Sequence, residues 1–340
     1  MAEIQHDRNA RGEGVAGASV QLLLAFLRRR EASIIVVALL LFLYFRIVSS
    51  QFSSVGNLGT LAQFTAPVAI IACGEVMLLI CGEIDLSTGA VFAIAPFILY
   101  FTWDYYVPLL LGILIAAALC GVIGLVNGLV TVYLRVPSFV TTLGMLFLLS
   151  GITLIISHGA PVQAPAQDTL YADVFGHGTW ASISWAGAIV LVMSVVLGLT
   201  QFGLHTVATG GNRLGAAQSG ILTGRVIIVN FVVASMLAAF AGILEGNRIQ
   251  SFDPLSGGPN GTTYMFYGVA SAVIGGTALA GGSGTIIGGF LGAIVLSILN
   301  DGLSLSGVNA YTFNVILGAA ILVAMILNVN LGRLRRTGGT

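Results

Sequence analysis

Long apolar runs alternate with short polar or glycine-rich breaks along almost the whole chain. An α-helix needs about 20 residues to cross a ~30 Å hydrocarbon layer. Ten runs approach that length: 32–50, 58–81, 87–103, 107–133, 138–157, 183–200, 225–246, 263–280, 284–300 and 309–328. The expected fold is all-α, a polytopic transmembrane helical bundle of about 10 spans with broken or re-entrant helices. The largest polar stretches, 1–31 and 157–182, are too short to bury a core of their own. One membrane domain is therefore expected over 32–328, between a disordered cytoplasmic leader, 1–31, and a cytoplasmic tail, 329–340. Arg28, Arg29 and Arg30 ahead of the apolar run from Ser33 imitate a signal peptide. No small-residue cleavage site follows before the next span, so the first helix is read as retained.

An even number of spans puts both termini on one side. With that side taken as the cytoplasm, Arg8, Arg11, Arg28, Arg29, Arg30, Arg135, Arg213, Arg225, Arg333, Arg335 and Arg336 fall inside, and only Arg46 and Arg248 fall outside. This asymmetry is the positive-inside pattern of a multi-pass inner-membrane protein. The outer loops hold Asp104, Asp168, Asp173, Asp253 and Asp301. Trp103, Tyr105, Tyr106, Trp180 and Trp185 fall at the outer boundaries and read as interfacial anchors.

Composition changes the picture in two ways. Hydrophobic residues make up 57% of the 340 residues and charged ones 8%, with a mean hydropathy of +1.00, so lipid is the solvent for most of the chain. All thirteen basic residues are arginine. Without lysine there is no standard phosphate-binding GxxxxGK[ST] loop and no Schiff-base lysine, so any ATP is hydrolysed on another polypeptide. No histidine or cysteine stands at metal-ligand spacing, and no hydrolase signature occurs, so the chain reads as a non-enzyme without a cofactor or metal. Cys73, Cys81 and Cys120 read as buried small hydrophobes.

The 45 glycines have two readings, close helix packing and helices broken beside a polar cavity, and both are compatible with one fold. Two internal echoes point to duplication. GEIDLSTG at Gly82–Gly89 matches GGTALAGG at Gly275–Gly282 at an offset of 193. Asn127-Gly128-Leu129 with Phe139 and Leu143-Gly144 matches Asp301-Gly302-Leu303 with Phe313 and Leu317-Gly318 at an offset of 174. The two offsets do not fit one simple repeat.

Candidate chemistry concentrates at 76–90. Glu83 and Asp85 sit between two apolar runs, and a carboxylate at membrane depth costs about 3 kcal/mol unless it faces a cavity or a partner. The segment reads either as a broken stretch near a transport path or as a turn in which Asp85 caps the next helix ahead of Ser87 and Thr88. Glu75, deeper in its span, either lines the path or bonds a neighbouring helix. Glu245 and Arg248 form an i,i+3 pair that needs no functional reading. The inner stretch 201–225 reads as a turn, a short helix with alanines on one face, and a second glycine, an element suited to a partner's groove.

Four ordered stretches carry a resemblance over 57–328: GEIDLSTGA at Gly82–Ala90, VPSFVTTLG at Val136–Gly144, GNRLGAAQSGI at Gly211–Ile221, and GGTALAGGSGTIIGGFLGA at Gly275–Ala293 with NDGLSLSGV at Asn300–Val308. Together they resemble the permease subunits of ribose- and xylose-type monosaccharide ABC importers. The resemblance implies that Gly211–Ile221 is the coupling helix seated in a cytoplasmic ABC ATPase subunit, with Gly211, Asn212, Arg213, Ala216, Ala217 and Gly220 at that contact. It implies a path near Glu83, Asp85, Leu86 and Ser87, with Glu75 beside them, pairing of two permease copies in a homodimer, and delivery of solute by a periplasmic solute-binding protein. Glu83 stands where glycine is frequent in that family, and Arg213 is not a fixed feature of it. The implied mechanism is alternating access driven through the coupling helix. A gradient-driven secondary transporter using Glu75, Glu83 and Asp85, and a packing scaffold, are the other readings.

Overall fold

The computed structural model describes residues 30–165, 170–178, 180–256, 258 and 262–309, with scattered positions between 312 and 326. Nine of the ten expected spans are helices: α1 Arg30–Val48, α2 Val55–Ile80, α3 Thr88–Asp104, α4 Leu109–Tyr133, α5 Ser138–Ile156, α6 Ala181–Leu199, α9 Thr223–Arg248, α10 Thr262–Ile274 and α11 Ile286–Leu305. Two short helices, α7 Gln201–Gly211 and α8 Arg213–Gln218, lie between α6 and α9. Half of the tenth expected span falls outside the described residues, as do most of the leader and the whole tail. The chain is an all-α polytopic membrane protein, and seven of these helices are long and apolar enough to cross a bilayer.

Lipid-facing and protein-facing helices separate cleanly. Outer helices expose large apolar side chains, such as Leu110 at 60%, Leu148 at 57% and Leu191 at 67%. Such surfaces would drive aggregation in water and are at rest against acyl chains. The last sixteen residues of α2, by contrast, are buried throughout, and α9 is buried over most of its length. Small residues let these two helices approach: a Cβ on Gly74 would lie 2.8 Å from the Cα of Ala234 in α9. Polar groups inside the bundle fall back on the preceding turn, as with Thr65, Ser150, Thr153 and Ser297, each donating to the carbonyl four residues earlier.

The packing of the two central helices follows an inverted pattern. α2 packs on α9 and on the two helices that follow α9, namely α10 and α11; α9 packs on α2 and on the two that follow α2, namely α3 and α4. Both central helices have 26 residues and run in opposite directions. Asn127 lies at the end where α2 stops, while Asp301 accepts from Asn57 Nδ2 in the first turn of α2, at the other end. The match at offset 174 thus relates the two ends of the bundle. The match at offset 193 has another cause and a corrected register. Gly82 donates to Leu79 O and Glu83 to Leu78 O; Gly276 donates to Val273 O and Thr277 to Ala272 O. Gly82 and Gly276 have φ of 80° and 85°, so both helices stop in the same glycine-terminated Schellman geometry, one residue away from the register that letter matching suggests.

α10 has only 13 residues, short of a full crossing, and the glycine-rich loop 275–285 returns the chain to α11. The described parts of the 157–182 stretch fold over the opposite end of the bundle. Val162–Gln163 pairs with Ser251–Phe252 as a two-stranded antiparallel ribbon, and Asn247 of α9 donates to Tyr171 Oη and Phe175 O. Burial pushes the Tyr171 hydroxyl up to about 12. Trp185, near the start of α6, stacks on Phe175 and donates to Val174 O, so it fastens this cap. Tyr105 and Tyr106 do stand at the surface.

Candidate functional site

The end of the bundle where α2 stops carries Arg30, Arg135, Arg213 and Arg225; Arg46 and Arg248 lie at the other end. Residues 81–87 connect α2 to α3 at this arginine-bearing end. Only the shoulder of this loop reaches the surface: Gly82 is exposed, Glu83 and Ile84 are partly covered, and Asp85, Leu86 and Ser87 are buried. The turn that the capping reading of Asp85 expects is present. Asp85 Oδ1 accepts from Ser87 N at 2.8 Å and Ser87 Oγ at 2.6 Å, a local cap ahead of α3, yet the side chain has no solvent exposure.

Neighbouring helices complete a polar cluster around this cap. Asn127 of α4 donates through Nδ2 to Ser87 Oγ at 2.9 Å and reaches Asp85 Oδ2 at 3.5 Å. Thr142 and Ser138 of α5 accept from the backbone N–H groups of Leu86 at 3.0 Å and Ile84 at 3.3 Å. Glu75 of α2 takes the Thr88 hydroxyl at 3.1 Å on Oε1. Glu75 Oε2 and Asn127 Oδ1, both fully enclosed, have no hydrogen-bond partner among the described residues. Buried polar atoms are nearly always paired, so this is a site with spare hydrogen-bonding capacity. Asn127, Ser138 and Thr142 were not singled out from the sequence. Their signals were present, since an Asn inside an apolar span costs free energy unless bonded and both hydroxyls lie within VPSFVTTLG.

The second predicted group gathers at the same end. Asn212 caps α8 by accepting from Gly215 N at 2.9 Å. Gly211, Asn212, Arg213, Ala217 and Gly220 are exposed, with Leu214 at 71%, whereas Ala216 is buried beneath them at 6%. Of the two alanines, Ala217 is the one at the surface. Arg213 Nη1 bonds Glu83 Oε1 at 3.2 Å, which ties α8 to the 81–87 loop. Cys81, read from sequence as a plain hydrophobe, accepts from Asn230 Nδ2 at 3.1 Å, and Asn230 also reaches Thr206 of α7. The loop 275–285 closes the group, because Gly282 N–H donates to Ile80 O at 2.8 Å. Three segments far apart in sequence thus meet on one surface, above a buried polar cluster.

Residues 57–325 match the family model described as branched-chain amino acid transport system / permease component. The xylose/arabinose import permease protein XylH of Sulfolobus acidocaldarius is 37% identical over 90% of this chain and 86% of its own length. The ribose import permease protein RbsC of Escherichia coli K12 is 32% identical over 88% of this chain and 93% of its own. The autoinducer 2 import system permease protein LsrC of Photorhabdus luminescens is 29% identical over 90% and 91% respectively. No solved structure matches the chain at a significant level.

Proposed function

We propose, from the premise that the chain belongs to the family of branched-chain amino acid transport system permease components, that it is the membrane subunit of an ATP-driven importer for a monosaccharide or a similar small polar solute. The sugars named in the relatives support a sugar over the amino acid of the family's description. The arginine-bearing end lies in the cytoplasm of a bacterial inner membrane, and two copies pair to complete the path. A periplasmic binding protein delivers solute at the opposite end, and a separate ATPase subunit hydrolyses ATP.

One observation carries this reading: the exposed α8 is joined by the Arg213–Glu83 pair to a loop whose inner side is the Asp85–Ser87–Asn127 cluster. A push on α8 from a partner therefore reaches buried polar groups rather than ending in a surface loop. In mechanism, ATP-driven closure of the ATPase pair shifts α8, the shift moves 81–87 against α4 and α5, and the polar groups exchange partners as the path alternates its opening. The ATPase acts by binding one of two permease states more tightly.

The test is uptake of labelled pentose by vesicles holding the permease, its ATPase and its binding protein. Leu214→Glu with Ala217→Glu, both surface changes, should cut ATP-dependent uptake at least roughly ten-fold, about 1.4 kcal/mol of coupling, without loss of membrane insertion. Ala216 is left alone because a charge there would enter the bundle. Undiminished uptake by this variant refutes the docking role of α8; accumulation of pentose by the permease alone refutes the importer reading.

A further inference from the structure

Three stretches of backbone meet at the arginine-bearing end with few side chains between them. A Cβ on Gly210 would overlap the Ile80 carbonyl oxygen, one on Gly281 would lie 2.9 Å from Gly210 O, and one on Gly282 would lie 2.7 Å from the Cα of Gly211. This joint is held by backbone packing and by the hydrogen bond from Gly282 N–H to Ile80 O rather than by interlocked side chains. One ion pair crosses it. Arg213 and Glu83 are 130 residues apart, and the Arg213 side chain is 51% exposed while that of Glu83 is 11% exposed. Arg213 uses one guanidinium nitrogen on Glu83, so the rest of its fork is open to water or to an acidic partner group.

Glu83 is well placed to pass motion inward. Its own N–H is held by Leu78 O, and the next residues are gripped in turn, Ile84 by Ser138, Leu86 by Thr142, and Asp85 by Ser87 and Asn127. A displacement of the Glu83 side chain therefore meets a stiff chain of bonds that ends in the buried cluster.

We infer that the Arg213–Glu83 pair is a positioning contact that sets how tightly movement of α8 is geared to the 81–87 loop. This rests on the reading of α8 as the ATPase-docking element. Because the Arg213 side chain is half exposed, water screens the pair and it adds little to folding, so its removal loosens the gearing and leaves the fold standing.

The experiment measures solute imported per ATP hydrolysed in vesicles containing the permease, ATPase and binding protein, alongside the melting temperature of each variant in detergent. Glu83→Gln and Arg213→Gln should each lower that ratio about five-fold, the value of a pair at the top of the exposed range, with melting temperatures near wild type. The exchange Glu83→Arg with Arg213→Glu should restore at least half of the ratio. Wild-type ratios in both single variants overturn the inference, as does a loss that the exchange fails to recover, or a fall in melting temperature with an unchanged ratio. Failure of the unaltered protein to import with its ATPase overturns the parent reading instead, so the two failures are separable.

Discussion

Two carboxylates occupy related places in the inverted halves of this bundle and live in opposite circumstances. Glu75 lies five residues before the end of α2 and takes a hydroxyl from Thr88, in the first turn of the next helix. Glu245 lies three residues before the end of α9 and takes a hydroxyl from Tyr264, likewise in the first turn of the next helix. Glu245 is also clamped by Arg248, with Nε at 2.7 Å and Nη2 at 2.6 Å. Among the described residues, Glu75 has one uncharged donor, the Thr88 hydroxyl, and a spare oxygen. The comparison teaches where the bundle is fastened and where it retains freedom. A charge-assisted fork locks the end where Tyr171 and Phe175 pack on α9, and a network of uncharged donors with unused capacity sits beneath α8.

The largest effect should come from breaking the fastened half. Arg248→Ala leaves the Glu245 carboxylate, 7% exposed, with the Tyr264 hydroxyl as its remaining partner. We expect a loss of about 3 kcal/mol, the low end for a broken buried pair because the Arg248 side chain keeps 28% of its exposure. Thermal unfolding in detergent reads this directly. Replacing both members, Glu245→Gln with Arg248→Met, should recover most of the loss, because no uncompensated charge then remains. A single variant as stable as wild type would show that this end is not fastened by the pair.

In the other half the strongest structural effect should belong to Asn127. Truncation to Ala removes the donor to Ser87 Oγ and Asp85 Oδ2, leaving enclosed acceptors unpaired, and should cost about 2 kcal/mol. Asn127→Asp keeps the shape but adds an acid to a site that already holds Glu75 and Asp85. It should therefore be the more damaging change, read by the same unfolding assay, and the order Ala worse than Asp would show that shape rather than charge governs the cluster.

How much of this was readable beforehand follows from what each interaction demands. The spans were legible because lipid imposes a length of apolar sequence on every crossing helix, and the nine helices found at expected spans keep close to the expected bounds, except that α10 stops at Ile274, well short of 280. The Glu245–Arg248 pair was legible because i,i+3 neighbours meet on any helix. Duplication was visible only as two discordant offsets, because matched letters do not encode direction. One offset joins opposite ends of the bundle, and the other reports a shared way of ending a helix. Glu83 and Arg213 each read as an isolated departure from a family pattern, and nothing local says that they meet. The same holds for Asn127 and Thr142, whose partners arrive from 40 and 56 residues away. Which of Ala216 and Ala217 turns outward depends on how α8 lies on the bundle, which a six-residue pattern does not fix.

The smallest effect, and the finest test of the comparison, is the same isosteric change made in both halves. Glu75→Gln preserves the oxygen that accepts from Thr88 and supplies an amide donor beside Asp85, so stability should move by less than about 1 kcal/mol. Glu245→Gln removes the anion opposite Arg248 and converts two charge-assisted bonds into neutral ones, so it should cost more. The partly exposed guanidinium is then rescued by water, which keeps this loss below that of Arg248→Ala. Paired melting curves give the ranking. If Glu75→Gln proved the costlier of the two, Glu75 would hold a charged partner of its own, and the contrast between a fastened and a free half would collapse.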